Sequence, residues 1–128
     1  MPIRPRSKNF SVTIRQSGDV ALVEVSGHFT SFEAGALTNA IHALIKEKRN
    51  RILLNLKGLD YLDSSGIGEL VRNYLTVIKS GGEMKVVGLT SKVEEILKIT
   101  QLYKVFPEFP DEDAALRSFP GSRHDGNE

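Results

Sequence analysis

The sequence predicts an α/β domain built on a mixed sheet of four to five strands with helices packed on it, in the order β-β-α-β-α-β-α-(β)-α. Three observations lead there. An alternating apolar run and a valine-rich run flank Ser17-Gly18-Asp19, which reads as an antiparallel hairpin. Short apolar runs then alternate with amphipathic helical patterns, which implies right-handed crossovers and parallel neighbours. At 128 residues the chain suits one domain with one substantial core.

Phe10 to Ile14 alternates apolar and polar residues and predicts a half-buried strand; Val20 to Val25 predicts its partner. After Gly27-His28-Phe29, Thr30 and Glu33 have the spacing of a capping box and predict a helix start. Phe32, Ala36, Leu37, Ala40, Ile41, Leu44 and Ile45 recur at helical spacing and predict its core face, while Lys46, Lys48 and Arg49 suit its carbonyl end. Arg51 to Leu56 is a short apolar run and predicts a central strand buried on both faces. The following helix, running to about Ser80, has Ile67, Leu70, Val71, Tyr74 and Ile78 inward, with Glu69, Arg72, Asn73, Thr76 and Lys79 mainly outward. Gly81-Gly82 ends it.

Met84 to Val87 predicts the next strand, and Ser91 with Glu94 a second capping box opening a helix with Val93, Ile96 and Leu97 inward. Tyr103 to Phe106 predicts a short edge strand, limited by Pro107 and Pro110. Asp111 then caps a last helix, Glu112 to about Ser118, whose apolar contacts are Ala115, Leu116 and Phe119. Residues 1–9, with Pro2 and Pro5, read as a flexible arm, residues 10–119 as the domain and residues 120–128 as a disordered polar tail.

The net charge of +1 gives no global case for direct nucleic-acid or anionic-membrane binding, and Arg4, Arg6 and Lys8 belong to the arm. The absence of cysteine excludes disulfides, thiol nucleophiles and Cys-ligated zinc, and suits a reducing compartment. No apolar run reaches the roughly 18–20 residues of a membrane span, and the N-terminus lacks the apolar core of a signal peptide. A cytoplasmic protein is the simplest expectation.

The stretch Leu59 to Leu70 concentrates the chemistry: two acids, two adjacent hydroxyls and two glycines lie between Asp60 and Gly68, where a strand pattern turns into a helix pattern. Catalysis finds little support there. No Gly-x-Ser-x-Gly elbow occurs. His42 falls within a helix, His124 in the tail, and His28 in a loop before a helix. Gly66-x-Gly68 would need its third glycine at Val71 to form a dinucleotide loop. Asp60 and Asp63 suggest a magnesium or aspartyl-phosphate pair, but no acidic pair near Thr30 and no late-strand lysine accompany them. No metal, cofactor or catalytic group is expected. What remains is Ser64 or Ser65 at a helix start, read either as a plain N-cap or as a hydroxyl whose phosphate the helix N-terminus would receive.

Asp63-Ser64-Ser65-Gly66-Ile67-Gly68, after Ile52-Leu53-Leu54-Asn55-Leu56, resembles the signature of the STAS-domain family, and within it the bacterial anti-sigma factor antagonists, or anti-anti-sigma factors. Ser80-Gly81-Gly82-Glu83-Met84-Lys85-Val86-Val87 extends the likeness, and Thr90-Ser91 and Leu102 to Phe106 continue it weakly. The resemblance covers roughly Val12 to Phe119. It implies a STAS-like fold and a partner-switching phosphoprotein that regulates transcription without catalysis of its own. The unphosphorylated form would bind an anti-sigma factor serine kinase. Phosphorylation of Ser64 would release it, and a phosphatase would reset it. Asp63, Ser65, Gly66 and Gly68 would surround the acceptor. Thr30 would join this partner-binding surface, standing where the family usually shows an aspartate. A homodimer is left open. The alternative is a non-switching STAS scaffold subunit of a stress-signalling complex, or a transporter-associated subunit.

Overall fold

The computed structural model describes residues 10–101, 106 and 108–120. Its sheet grows from the hairpin. β1 (Ser11–Ser17) pairs antiparallel with β2 (Val20–Phe29), Ser17 opposite Val20 and Ser11 opposite Ser26. β3 (Arg51–Asn55) runs parallel to the first half of β2, with Ala21 beside Ile52 and Glu24 beside Asn55. β5 (Glu83–Val87) runs parallel to β3, and β6 (Glu108–Phe109) parallel to the end of β5. The order is β1-β2-β3-β5-β6, the mixed α/β arrangement that the alternation of patterns predicts. β4 (Leu59–Leu62) lies off this path, parallel to the last residues of β2.

Alternation along the strands divides the core in two. Ala21, Val23, Val25, Ile52, Leu54 and Val86 face one way, towards Leu37, Ile41 and Leu44 of α1 (Ala36–Lys46), Leu70 and Val77 of α2 (Ser64–Lys79), and Val93 and Leu97 of α3 (Ser91–Ile99). Val20, Leu22, Leu53 and Val87 face the other way, against Ala115 of α4 (Glu112–Ser118) and Phe119, its C-cap. β3 is thus covered on both faces, which is why its sequence is a continuous apolar run rather than an alternating one.

Six local expectations are corrected. β2 runs four residues past Val25 because its end pairs with β4. β4 itself, read from the sequence as part of a junction, has only four residues, with Leu59 and Leu62 buried around exposed Asp60 and Tyr61, too brief for a period-2 signal. The Thr30–Glu33 capping box forms, but on a 3-10 turn, Ser31–Glu33; Gly35 at φ +93 separates it from α1. Phe32 therefore lies outside the helix and is 70% exposed instead of on a core face. On α2, Glu69 and Asn73 are buried and Ile78 is 44% exposed, the reverse of the predicted faces. The cap of α3 is Thr90, whose hydroxyl accepts from Val93 N, rather than Ser91.

The C-terminal end of α2 follows the expected pattern: Gly82 N donates to Val77 O and Gly81 N to Ile78 O, the paired bonds of a Schellman ending. Asp111 caps α4 as predicted, accepting from Ala114 N. Of the predicted strand Tyr103–Phe106, residues 103–105 lie outside the described residues, as do the arm, residues 1–9, and residues 121–128 of the tail.

Candidate functional site

β2 and β4 end side by side, Phe29 next to Leu62, and the chain leaves β4 directly into α2. Asp63 is extended and is the N-cap of α2. Its Oδ1 accepts from Gly66 N at 3.0 Å, and its Oδ2 from Ser31 N at 3.3 Å, in the turn that follows β2. The capping role considered for the serines thus belongs to Asp63. Ser64, the first helical residue, is exposed, and Ser65 is half-buried. The serine hydroxyl is presented to solvent at the positive end of a 16-residue helix.

Gly66 is buried because α2 starts in contact with β2. A Cβ there would lie 2.3 Å from Phe29 O, so only glycine permits this approach. Gly68, one turn outward, has no such constraint: a Cβ would meet only the tip of Arg72, at 3.2 Å.

Thr30 stands beside this turn. Its hydroxyl accepts from Phe32 N at 3.2 Å and donates to Glu33 Oε1 at 2.8 Å, while Thr30 N donates to the same oxygen at 2.9 Å. Glu33 is buried, and its Oε2 has no hydrogen-bond partner among the described residues. A carboxylate therefore adjoins Thr30 although residue 30 itself is neutral. The structure brings together Thr30, Asp63, Ser64, Ser65 and Gly66, and leaves Gly68 on the outward face of α2.

The sequence reading missed Glu69. Its carboxylate is 2% exposed and accepts from Gly35 N and Thr38 N, both at 2.9 Å, and from Thr38 Oγ1 at 2.9 Å. It caps α1, whose own N-cap residue, Gly35, has no side chain for the task. Asn73 Nδ2 donates to Thr38 Oγ1 at 3.0 Å and to Glu69 O at 2.8 Å. Gly66, Glu69, Leu70, Asn73 and Val77 recur at helical spacing, a stripe that signals a shared face, but the groups that satisfy the buried pair lie at the start of α1.

Asp60 is exposed and does not join Asp63 in this cluster of bonds. Among the described residues no group of three or more His, Cys, Asp or Glu converges on a possible metal position. His28 packs edge-on against Tyr61, ring centroids 6.1 Å apart. A cleft of about 510 Å³ lies away from Ser64, lined by residues that include Arg15, Asn55, Lys57 and Glu112. Beside it the Arg15 guanidinium hydrogen-bonds Glu24, which holds that carboxyl below its usual range and raises Arg15. No helix among the described residues is long and apolar enough to cross a membrane. The geometry at Ser64 offers an accessible hydroxyl, a fixed carboxylate and a helix end that favours anions.

The comparisons agree with this architecture. The family model described as STAS domain matches residues 11–115. An anti-sigma F factor antagonist from Paenibacillus polymyxa is 28% identical over 109 residues, covering 84% of this chain and 93% of that protein. An anti-sigma-B factor antagonist from Bacillus subtilis (strain 168) is 27% identical over 94 residues, covering 73% of this chain and 85% of that protein. The crystal structure of an anti-sigma factor antagonist from Mycobacterium paratuberculosis superposes with a TM-score of 0.76 at 27% identity, over 86% of this chain and 93% of that one. With its mixed sheet, its Asp-Ser-Ser-Gly helix start and this match over most of its length, the chain belongs to the STAS domain family.

Proposed function

We propose that the chain is an anti-sigma factor antagonist, a binding switch that engages an anti-sigma factor serine kinase when Ser64 carries a free hydroxyl and is released when Ser64 is phosphorylated. Sigma-factor availability, and so transcription, would follow the state of this one residue, and a phosphatase would reset it. Such a switch works in the cytoplasm, where transcription takes place.

The observation that carries this reading is the exposure of Ser64 at the first position of α2, directly after a cap that fixes the turn. A phosphate there adds about −1.5 to −2 charges and three acceptor oxygens. The helix dipole favours that charge, so the modified chain keeps its fold. A docked partner meets a different surface: a neutral hydroxyl becomes a dianion beside Asp63. Gly66 seats the helix on β2, so modification changes charge at a fixed position rather than displacing the element. Thr30, neutral where an acid is usual in the family, has the Glu33 carboxylate hydrogen-bonded to it.

The test uses ATP and purified anti-sigma factor kinases from the same organism. Phosphate should appear on Ser64 by peptide mapping, and Ser64→Ala should abolish it. Ser64→Asp should weaken binding of the anti-sigma factor by about tenfold or more, a difference of about 1.4 kcal/mol, without loss of thermal stability. Phosphate found only on Ser65 or Thr30, or unchanged affinity in a folded Ser64→Asp protein, would remove this mechanism.

A further inference from the structure

The outward face of α2 is not the polar surface expected of a solvated helix. Leu75 is 48% and Ile78 44% exposed. Ser64, Gly68, Leu75 and Ile78 are spaced by four, seven and three residues, which places them on one side of the helix. Arg72 and Lys79 lie on the same side, both exposed, and neither is in an ion pair among the described residues. The acid nearest in sequence, Glu69, is turned inward onto α1. Glu83, which shares a small cleft with Ile78, lies 3.9 Å from Lys85. Gly68 adds an independent sign. Glycine weakens a helix interior, yet nothing inside this protein requires it at position 68. A bare backbone there leaves room for another backbone to approach from outside.

We infer that this face of α2 docks an acidic amphipathic helix of the partner, apolar on the side that meets Gly68, Leu75 and Ile78 and carrying carboxylates towards Arg72 and Lys79. The occupant follows from charge complementarity. The same face of a second copy, the contact a two-fold dimer would use, would bring further Arg72 and Lys79 cations and no acid to meet these. The inference deepens the switch reading and rests on it only for the partner's identity. It also supplies the reason for release: Ser64 begins the same face, so its phosphate would oppose the partner's carboxylates at one end of the docked helix.

The experiment uses the full chain and two synthetic helical peptides, each about three heptads long, with identical leucine and alanine faces and either glutamate or lysine flanks. The glutamate peptide should bind, shift backbone amide resonances from Gly68 to Lys79, and weaken with rising salt; the lysine peptide should not bind. Arg72→Glu with Lys79→Glu should exchange that preference and weaken the anti-sigma factor at least about tenfold, which corresponds to about 1.4 kcal/mol, while thermal stability stays within a few degrees. If the anti-sigma factor binds the charge-reversed protein normally and neither peptide is preferred, the inference is overturned and the Ser64 switch stands. If wild type ignores the anti-sigma factor but keeps the peptide preference, the switch reading fails and the docking face stands. Sedimentation that finds a wild-type dimer dissociated by Leu75→Ser would also overturn the inference, assigning the face to a second copy.

Discussion

The starts of α1 and α2 are both held by carboxylates, and the two carboxylates come from very different distances along the chain. α2 is capped from the preceding residue: Asp63 accepts from Gly66 N and also reaches Ser31 N in the turn before α1. α1 is capped from across the fold: Glu69, on the second turn of α2, accepts from Gly35 N and Thr38 N. Each helix start is therefore tied to the other. The difference lies in exposure. Glu69 is sealed between the helices, whereas the turn that Asp63 caps carries Ser64 on its outer side. Two solutions to one problem, unpaired amides at a helix end, thus give one purely structural joint and one surface that a partner can reach.

The strongest way to break this pairing is through the buried joint. Glu69→Ala leaves two backbone amides and a hydroxyl without their acceptor, and should cost about 3 kcal/mol, read as a drop in Tm on the order of 10 °C. Glu69→Gln keeps an accepting oxygen and should lose clearly less. A loss below about 0.5 kcal/mol for the alanine variant, within the range of ordinary surface changes, would show that Glu69 does not hold α1.

Next comes the contact between α2 and β2. Gly66→Ala forces a methyl group against Phe29 O and should cost about 2 kcal/mol, whereas Gly68→Ala should be neutral or stabilise by up to about 1 kcal/mol. Chemical denaturation of the two variants gives the comparison directly. Equal effects would contradict the assignment of one glycine to the interior and the other to the surface.

The smallest effect belongs to the local cap. Asp63→Ala should cost about 1 kcal/mol, and Asp63→Asn less, because asparagine also caps well. Phosphorylation of Ser64 should slow in both variants if the cap fixes the serine's position. An unchanged phosphorylation rate in Asp63→Ala would confine Asp63 to stability.

The pairs show which parts of the molecule were readable as a string. Asp63 and Gly66 are close in sequence, so their bond follows from local chemistry, and the Asp-Ser-Ser-Gly run marks both the helix start and the family. Even so, the choice between Asp63, Ser64 and Ser65 as the capping residue needed the backbone, because each is a competent cap. Glu69 and Asn73 were placed outward because polar residues usually are. Their burial depends on the amides of α1 and on Thr38, which no local window contains. Phe32 went the other way: an apolar residue at helical spacing proved exposed because Gly35 interrupts the helix before it begins.

The sequence by itself determined the order of the main elements, the two-sided burial of β3 and the position of Ser64 at a helix start. Those features depend on periodicity, capping chemistry and burial of neighbouring side chains, all of them short-range in the chain. Only the tertiary structure decided that β2 continues to meet β4, that Gly66 seats α2 against Phe29 O, and that Glu69 closes α1 from inside. These depend on contacts between segments some 30 residues or more apart. The backbone polar groups of one element were left for another element to satisfy, and a burial requirement of that kind acquires its partner only when the chain has folded.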